Sequence, residues 1–424
     1  MSTSAAASSG HARLQSGTGA YDVEAVRRRF PILERRINGH PLVYLDSAAT
    51  TQKPLDVLDA MDAFHREKNA NVHRGVHTLS VEATEVYEAA RDKVRRLLGA
   101  SRPEEIVFLR GVTEAMNLVA QSWGRANVRA GDEILITHME HHSNIVPWQM
   151  LCEQTGATLK VAPVDDRGEV ILDAFEKLLN ERTKIAAFVH ISNALGTVNP
   201  VHEMARMSKQ VGAIVVIDGA QATPHEKVDV RGIGCDFYAI SGHKMYAPTG
   251  IGALYGRHEL LEAMPPWQGG GDMILSVTFE GTTYNVPPQK FEAGTPNIAG
   301  AVALGAAVDF LDGIGLDRIG AHESAVLERM ASALREIPGL RLIGEPGRRA
   351  GSVSFVVDEV HPHDLGTVVD QEGVAIRTGH HCAQPLMERF GVPATARASI
   401  GVYNREADIE ALVSAIRKAI EIFS

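Results

Sequence analysis

The stretch Ala213-Ile-Val-Val-Ile-Asp-Gly-Ala-Gln221 reads as a β-branched strand, Ala213–Asp218, that stops on a carboxylate and a turn. It is one of a series. From Pro41 to Gly256, short β-branched runs alternate with helical patterns, which argues for βα units stacked around a mostly parallel sheet. The other candidate strands are Leu42–Leu45, Glu105–Leu109, Glu133–Thr137, Thr158–Ala162, Lys184–Ile191, Asp236–Ile240 and Ile251–Tyr255. Helices fill most of the gaps; one is Val81–Leu98, with Ser80 as N-cap and Gly99 just beyond its last periodic residue. Ligands in open α/β sheets bind beyond the carboxyl ends of the strands, so residues just after strand ends carry most weight as site candidates.

Outward from this sheet, Gly269–Asn297 contains Gly269-Gly-Gly271, Gly281-Thr-Thr283 and Pro287-Pro288, with weak periodicity and many turn residues. Helical patterns at Ala299–Asp312 and Leu316–Glu336 follow, then a strand-rich segment near Leu340–Val357 and a last helix at Glu406–Phe423. The expected fold class is α/β. A large domain, 41–298, carries the sheet of a seven-stranded type flanked by helices. Residues 22–40, with a helix near Val23–Phe30, join 299–424 in a smaller α/β domain. Met1–Tyr21 is dominated by Ser, Ala and Gly and is expected to be disordered. It lacks the apolar block of a secretory signal. It is acid-free and Ser-rich like an organelle transit peptide, but has only Arg13 where such peptides are Arg-rich. No internal repeat is evident.

A chain of 424 residues, 45% hydrophobic and 22% charged, is long enough for one large domain and a smaller one. Its net charge of -10, from 42 basic and 52 acidic side chains interspersed along the chain, argues against nucleic acid or an anionic membrane as partner. Cys152, Cys235 and Cys382 are the only cysteines, odd in number and widely spaced, so free thiols in a reducing, cytoplasmic setting are expected. No apolar run approaches the ~18 residues that span a bilayer.

Asp218 at a strand end reads in isolation as a turn residue or cap, and a loop lysine such as Lys244 as a solvent-exposed one. Together they read differently. Ser241-Gly-His-Lys244 directly follows strand Asp236–Ile240, and pyridoxal phosphate (PLP) chemistry needs a lysine amine to hold the aldehyde as a Schiff base. It also needs an acid to keep the pyridine nitrogen protonated. Arg110-Gly-Val-Thr113 follows strand Glu105–Leu109 and opens a helix, Glu114–Ser122, whose N-terminal amides and dipole suit a phosphate. Thr113 reads equally as a helix cap. His138, His141 and His142 follow strand Glu133–Thr137 and admit two readings. One is an imidazole stacked on an aromatic cofactor; the other is a zinc site built with His380, His381 and Cys382, although the local spacing is not a recognised zinc pattern.

Asp46-Ser-Ala-Ala-Thr50, Asn71-Val-His-Arg-Gly-Val-His77, Met139-Glu-His-His-Ser-Asn144, Asp218-Gly-Ala-Gln221, Ser241-Gly-His-Lys244, Phe291-Glu-Ala-Gly-Thr-Pro-Asn297, Arg377-Thr-Gly-His-His-Cys-Ala383 and Arg397-Ala-Ser399 occur in that order. The set resembles the class V aminotransferase superfamily, a group of fold type I PLP-dependent transferases. More narrowly it resembles its group II cysteine desulfurases, the SufS type. The resemblance covers the chain from about Val23 onward.

The resemblance implies that Lys244 carries the cofactor, Asp218 pairs with the pyridine nitrogen, His141 stacks on the ring and Gln221 touches the phenolic oxygen. Thr113, Ser241 and His243 would hold the phosphate, completed by Thr295 of a second subunit, so a homodimer is implied. Asn193 and Arg397, with Arg377 nearby, match the positions that bind the substrate carboxylate, a task suited to a bidentate guanidinium. No metal is expected. Lys244, displaced by L-cysteine, then removes the α-proton. Cys382 as thiolate takes the substrate sulfur, leaving a persulfide and L-alanine. A free thiol of pKa ~8.5 is only a few per cent ionised at neutral pH, so positive charge near Cys382, such as Arg377 or a histidine, would assist it. Cys152 and Cys235 read as small buried hydrophobes. The sulfur acceptor implied is a small SufE- or SufU-like protein serving iron–sulfur cluster assembly. The alternatives are a selenocysteine lyase acting on L-selenocysteine, another enzyme of the superfamily such as an aminotransferase, or a silent or metal-binding scaffold on the same fold. An organelle stroma or matrix is the alternative to the cytoplasm.

Overall fold

The computed structural model describes residues 21–423. Strands β1 (Ile106–Leu109), β2 (Glu133–Thr137), β3 (Thr158–Ala162), β4 (Thr183–Val189), β5 (Ile214–Asp218), β6 (Phe237–Ser241) and β7 (Gly252–Gly256) form a seven-stranded sheet in the order β1-β7-β6-β5-β4-β2-β3. All neighbours are parallel except β7, which runs antiparallel to both β1 and β6. The cause is local. The β6–β7 connection holds only the 3₁₀ turn Gly242–Lys244, whereas a parallel return needs a crossover of about a dozen residues or more, usually a helix.

Helices cover both faces, so the central strands are apolar on both sides. Val215 and Ile217 of β5 pack on one face with helices Thr78–Leu98, Val201–Gln210 and Ile298–Ile314. Val216 packs on the other with helices Val112–Val119 and Val146–Thr155. A second, antiparallel sheet of β8 (Leu340–Ile343), β9 (Ser352–Val357), β10 (Arg377–Gly379) and β11 (Thr395–Ser399) has the order β8-β9-β11-β10. Its core is completed by Met330, Leu334, Leu365, Leu412 and Ile416 from three helices.

Several boundaries differ from the sequence reading. Leu42–Leu45 contributes only Val43–Tyr44, and this pair joins Val374–Ala375 rather than the large sheet. The amides of Val43 and Leu45 each donate to carbonyls of that segment, Gly373 and Ala375, at 2.9 Å. The helix expected from Val81 begins at Thr78, because His77 and not Ser80 is the cap, its ring accepting the Ser80 amide at 3.3 Å. Gly99 ends it in the left-handed conformation, φ +67°.

Packing also apportions the chain differently from 41–298 against 22–40 with 299–424. Val26, Phe30 and helix Ile298–Ile314 lie in the core of the large sheet, whereas Val43 and Leu45 lie in the core of the small one. Helix Ile298–Ile314 crosses Thr78–Leu98 closely: a Cβ on Gly305 would stand 3.0 Å from Ala90 Cβ. Of the segment expected to be disordered, Met1–Ala20 lies outside the described residues. Tyr21 is packed, its ring stacked on His322 at 4.1 Å. Gly269–Asn297 forms a β-hairpin, Ile274–Val277 with Thr282–Tyr284, and a 3₁₀ turn at Gln289–Phe291. Among the described residues no single helix is long and apolar enough to cross a membrane.

Candidate active site

The loops after β1, β2, β4, β5 and β6 open on one edge of the sheet, and β10 and β11 face them across a cavity of about 550 Å³. Thr113, His141, Asn193, Asp218, Gln221, Ser241, His243, Lys244, Arg377, Cys382 and Arg397 all line it. Thr295 does not. It is exposed, beside Gly250 and Asn297, on a separate pocket of the same chain.

Asp218 ends β5 with its carboxylate buried, and the chain turns at once because its Oδ1 accepts the Ala220 amide at 2.9 Å. Gly219 is required for that path, since a Cβ there would lie 2.0 Å from the ring of Tyr238. Burial raises the Asp218 carboxyl above its usual range, and the charge of Lys244 opposes this. Burial likewise lowers the Lys244 amine, with Asp218 pulling the other way. Each group is thus the main electrostatic partner of the other. Lys244 Nζ faces the cavity from the 3₁₀ turn after β6.

At the other side, Gly111 is the N-cap of helix Val112–Val119 and makes no side-chain cap bond, so Thr113 is not the cap. The Val112 amide donates instead to Ser241 Oγ at 3.0 Å, which braces the helix start against the Lys244 loop. Thr113, Ser241 and His243, whose buried Nδ1 has no partner, surround this end of the cavity. A helix N-terminus with hydroxyls and an unpaired ring nitrogen suits a phosphate. Burial pushes the His243 ring down to about 4.

His141 is the N-cap of the turn His142–Asn144, and its Nδ1 accepts the Ser143 amide at 3.0 Å. The ring proton therefore resides on Nε2. Burial first, then the charge of Lys244, lowers the ring to about 3, so it is neutral. Gln221 Nε2 donates to the carbonyl of Ala48 at 2.8 Å, which places its amide against the segment after Asp46.

Arg397, 2% exposed, donates to the Asn193 carbonyl at 2.8 Å and meets Asp46 Oδ1 at 3.4 Å. Arg377 grips the same Asp46 with Nη2 at 2.8 Å and Nε at 3.1 Å. Burial lowers Arg397 to about 10, with Asp46 opposing, and its buried Nε has no partner. A donor left free on a buried guanidinium is what a substrate carboxylate would satisfy.

Cys382 is exposed, on the loop after β10. His381 and Cys382 take φ of +52° and +55° in succession, a left-handed pair without glycine that costs of order 1–3 kcal/mol per residue. Three contacts hold it. Asn193 Nδ2 donates to the His381 carbonyl at 2.6 Å, His381 Nε2 meets Thr395 Oγ1 at 2.8 Å, and the His142 amide donates to the Cys382 carbonyl at 2.7 Å. Cys235 is buried and its thiol pushed up by burial; Cys152 is half-buried and raised for the same reason.

Among the described residues no three His, Cys, Asp or Glu side chains are gathered as a metal site. His142 and His381 lie beside Cys382, but His142 Nε2 accepts the Gln384 amide. The residue that sequence reasoning missed is Asp46. It stands in a quoted motif, yet nothing local indicates that it holds two arginines 331 and 351 positions away.

The class-V aminotransferase model matches residues 43–412. The chain is 50% identical over 398 residues to a cysteine desulfurase of Cronobacter sakazakii, covering 94% of this chain and 98% of that one. It is 51% identical over 403 residues to a cysteine desulfurase of Synechococcus elongatus, covering 95% of this chain but 64% of that longer protein. It superposes on the cysteine desulfurase CsdA of Escherichia coli with a TM-score of 0.89, at 39% identity over 96% of this chain and 100% of that one. A cysteine desulfurase of Thermococcus onnurineus gives 0.87 at 39% identity, over 93% and 98% of the two chains. With its sheet, its cavity and these relatives in agreement, the chain belongs to the class V aminotransferase family and, within it, to the cysteine desulfurases.

Proposed function

We propose that the protein is a PLP-dependent desulfurase that moves sulfur from L-cysteine to Cys382 and releases L-alanine. The observation that carries this reading is an exposed cysteine on a held, left-handed loop, opening into the same cavity as the Lys244–Asp218 pair. Lys244 and Asp218 would hold the cofactor at its reactive end, His141 and Gln221 along the ring, and Thr113, Ser241 and His243 at its phosphate. Bound there, PLP supplies an aldehyde for the substrate amine and an electron sink for the α-carbon.

The chain's own groups do the rest. The guanidinium of Arg397, with its free Nε–H, orients the substrate carboxylate, and Asn193 holds both the Arg397 and the Cys382 sides in place. Because burial lowers its amine, Lys244 sheds its proton more readily than a free lysine and can then take the α-proton at Nζ. Asp218 offers its carboxyl where a protonated ring nitrogen would sit, its charged form opposed by burial and favoured by a nearby positive charge. His141, neutral with Nε2–H, presents a ring face without adding charge. Cys382 Sγ, as thiolate, forms an S–S bond with the substrate sulfur as the C–S bond breaks. The C–S electron pair stays with the β-carbon, which takes up a proton, and Lys244 returns the α-proton, so alanine leaves and the enzyme keeps a persulfide.

A SufE- or SufU-like acceptor, and through it iron–sulfur cluster assembly, is the proposed destination of that sulfur, supported by the exposure of Cys382 at the cavity mouth. A homodimer is proposed on two grounds. Thr295 lies off its own chain's cavity, and the hairpin turns Leu275, Val277 and Phe279 to solvent, 67%, 62% and 109% exposed, as a second copy would cover them. The cytoplasm is the proposed compartment, consistent with three free thiols.

Cys382→Ala should turn yellow with PLP like the parent protein, yet form neither persulfide nor alanine from cysteine. Undiminished sulfide release would overturn the assignment. The same assay with L-selenocysteine, and with and without a SufE- or SufU-like protein, ranks the substrates and tests the acceptor.

A further inference from the structure

Glu140 directly precedes His141 and is 0% exposed, and no step above uses it. Its two carboxyl oxygens are bound from three elements. Oε1 accepts the Val189 amide from the end of β4 at 3.1 Å and meets Thr137 Oγ1, at the end of β2, at 2.5 Å. Oε2 accepts Asn144 Nδ2, from the turn after His141, at 2.6 Å.

The donor pattern leaves no freedom in this arrangement. Trp148 Nε1–H can only donate, and it donates to Asn144 Oδ1 at 2.9 Å. Asn144 must therefore turn its NH₂ toward Glu140. The Val189 amide can also only donate. Both carboxyl oxygens thus accept an N–H, and Thr137 Oγ1 donates to Oε1 as well. Burial, with Asp218 adding to it, pushes the Glu140 carboxyl up to about 8 against these three hydrogen bonds, which favour its charged form.

The consequence reaches His141, which lies in the chain between Glu140 and the turn it clamps. The same turn supplies the Ser143 amide that occupies His141 Nδ1 and leaves the ring proton on Nε2. We propose that Glu140 is a positioning residue that, by clamping Asn144 and the end of β4, fixes the place and the tautomer of the His141 ring in the wall of the Lys244 cavity. The proposal deepens the function argued above and rests on it only for the kinetic readout.

Glu140→Gln tests it, because an amide offers one oxygen. Either the Val189 N–H or the Asn144 NH₂ must then face another donor, at the cost of a buried unsatisfied group. Trp148→Phe is the second variant. It keeps Glu140 but removes the donor that fixes Asn144 Oδ1, so the Asn144 end of the clamp loosens, and it decides the matter if Glu140→Gln does not fold.

The first measurement is ¹⁵N NMR of the imidazole of His141 in the full-length, cofactor-free protein. The parent should show Nδ1 bare and Nε2 protonated; both variants should show a mixture of tautomers. In the PLP-loaded enzyme, kcat on cysteine should fall roughly tenfold to a hundredfold, as for a ring displaced by about 1 Å, with KM nearly unchanged. Parent-like imidazole signals and parent-like kcat in both variants would overturn the proposal. Because the imidazole signals are read without cofactor or cysteine, a parent protein that makes no alanine would sink the proposed function and leave this inference standing.

Discussion

Three thiols of identical chemistry end in three surroundings. Cys382 is exposed at the cavity, Cys152 half-buried on a helix, and Cys235 buried, where desolvation and the neighbouring Asp236 hold its thiol protonated. Attack by an alkylating reagent needs a thiolate that the reagent can reach. In the native cofactor-free protein, iodoacetamide should therefore modify Cys382 first and Cys152 more slowly. Cys235 should stay unmodified until denaturant is added, as peptide mass spectrometry would read. Early labelling of Cys235 would contradict the packing described for it. Arg397 shows the same dependence on surroundings. It is a buried cation made tolerable by Asp46, so Asp46→Ala should cost about 1.5–3 kcal/mol in chemical unfolding and raise KM for cysteine, because Arg377 and Arg397 lose the group that aims them.

At the scale of elements, the strand-to-loop junctions carry the site, and β5 shows how tightly one is built. Tyr238 cannot move away from Gly219, because its hydroxyl is bonded to His190 at 2.8 Å and the side chain is buried. Gly219→Ala should therefore overpack the turn and cost roughly 1–3 kcal/mol, read as a lower urea midpoint, together with weaker PLP binding because Asp218 shifts. An unchanged midpoint would mean the junction yields more easily than its contacts imply. Elements of this kind were legible because their signals are local. β-Branched runs of strand length, followed by Asp218 or Lys244, mark both the sheet and its working edge. What was illegible depended on partners distant in sequence. Leu42–Leu45 reads as a strand, but nothing in it says that its neighbour is Val374–Ala375. Helix Ile298–Ile314 reads as a helix, but only the close crossing at Ala90 assigns it to the large core. The cap of Thr78–Leu98 was misplaced because a histidine ring took the role usually played by a short hydroxyl side chain.

Across the whole molecule, the segment Asp46–Lys53 ties the two sheets together at the cavity. Asp46 reaches Arg377 and Arg397 on the small side, and Ser47 bonds Tyr403 of the large core. Ala48 accepts Gln221, and Thr50, Thr51 and Lys53 all donate to the His243 carbonyl on the large side. Closing the cavity in this way buries titratable rings in their neutral form, and that has a consequence for acid stability. Burial lowers His141 and His381 to about 3 and His243 to about 4, against about 6.5 in an unfolded chain. Between those values the unfolded chain binds more protons than the folded one, so stability rises with pH. Glu140, raised to about 8 from 4.5, has the opposite sign: from about 4.5 to 8 the folded state holds the extra proton, and stability falls as pH rises. With His138 and His142 also lowered by burial, and Asp218, Asp312 and Asp408 raised by it alongside Glu140, the histidines leave a net upward slope between about pH 4.5 and 6.5. Above that the lowered histidines no longer contribute, and Glu140, together with His73, whose ring its bond to Glu88 raises, gives a shallow decline toward pH 8. Urea midpoints of the cofactor-free protein should therefore climb from pH 5 to a maximum near 6.5. His381→Asn, which removes one ring and keeps a polar group beside Thr395, should flatten the climb, whereas a parent profile that is level or descending from pH 5 to 6.5 would show that these rings are not held neutral in the fold.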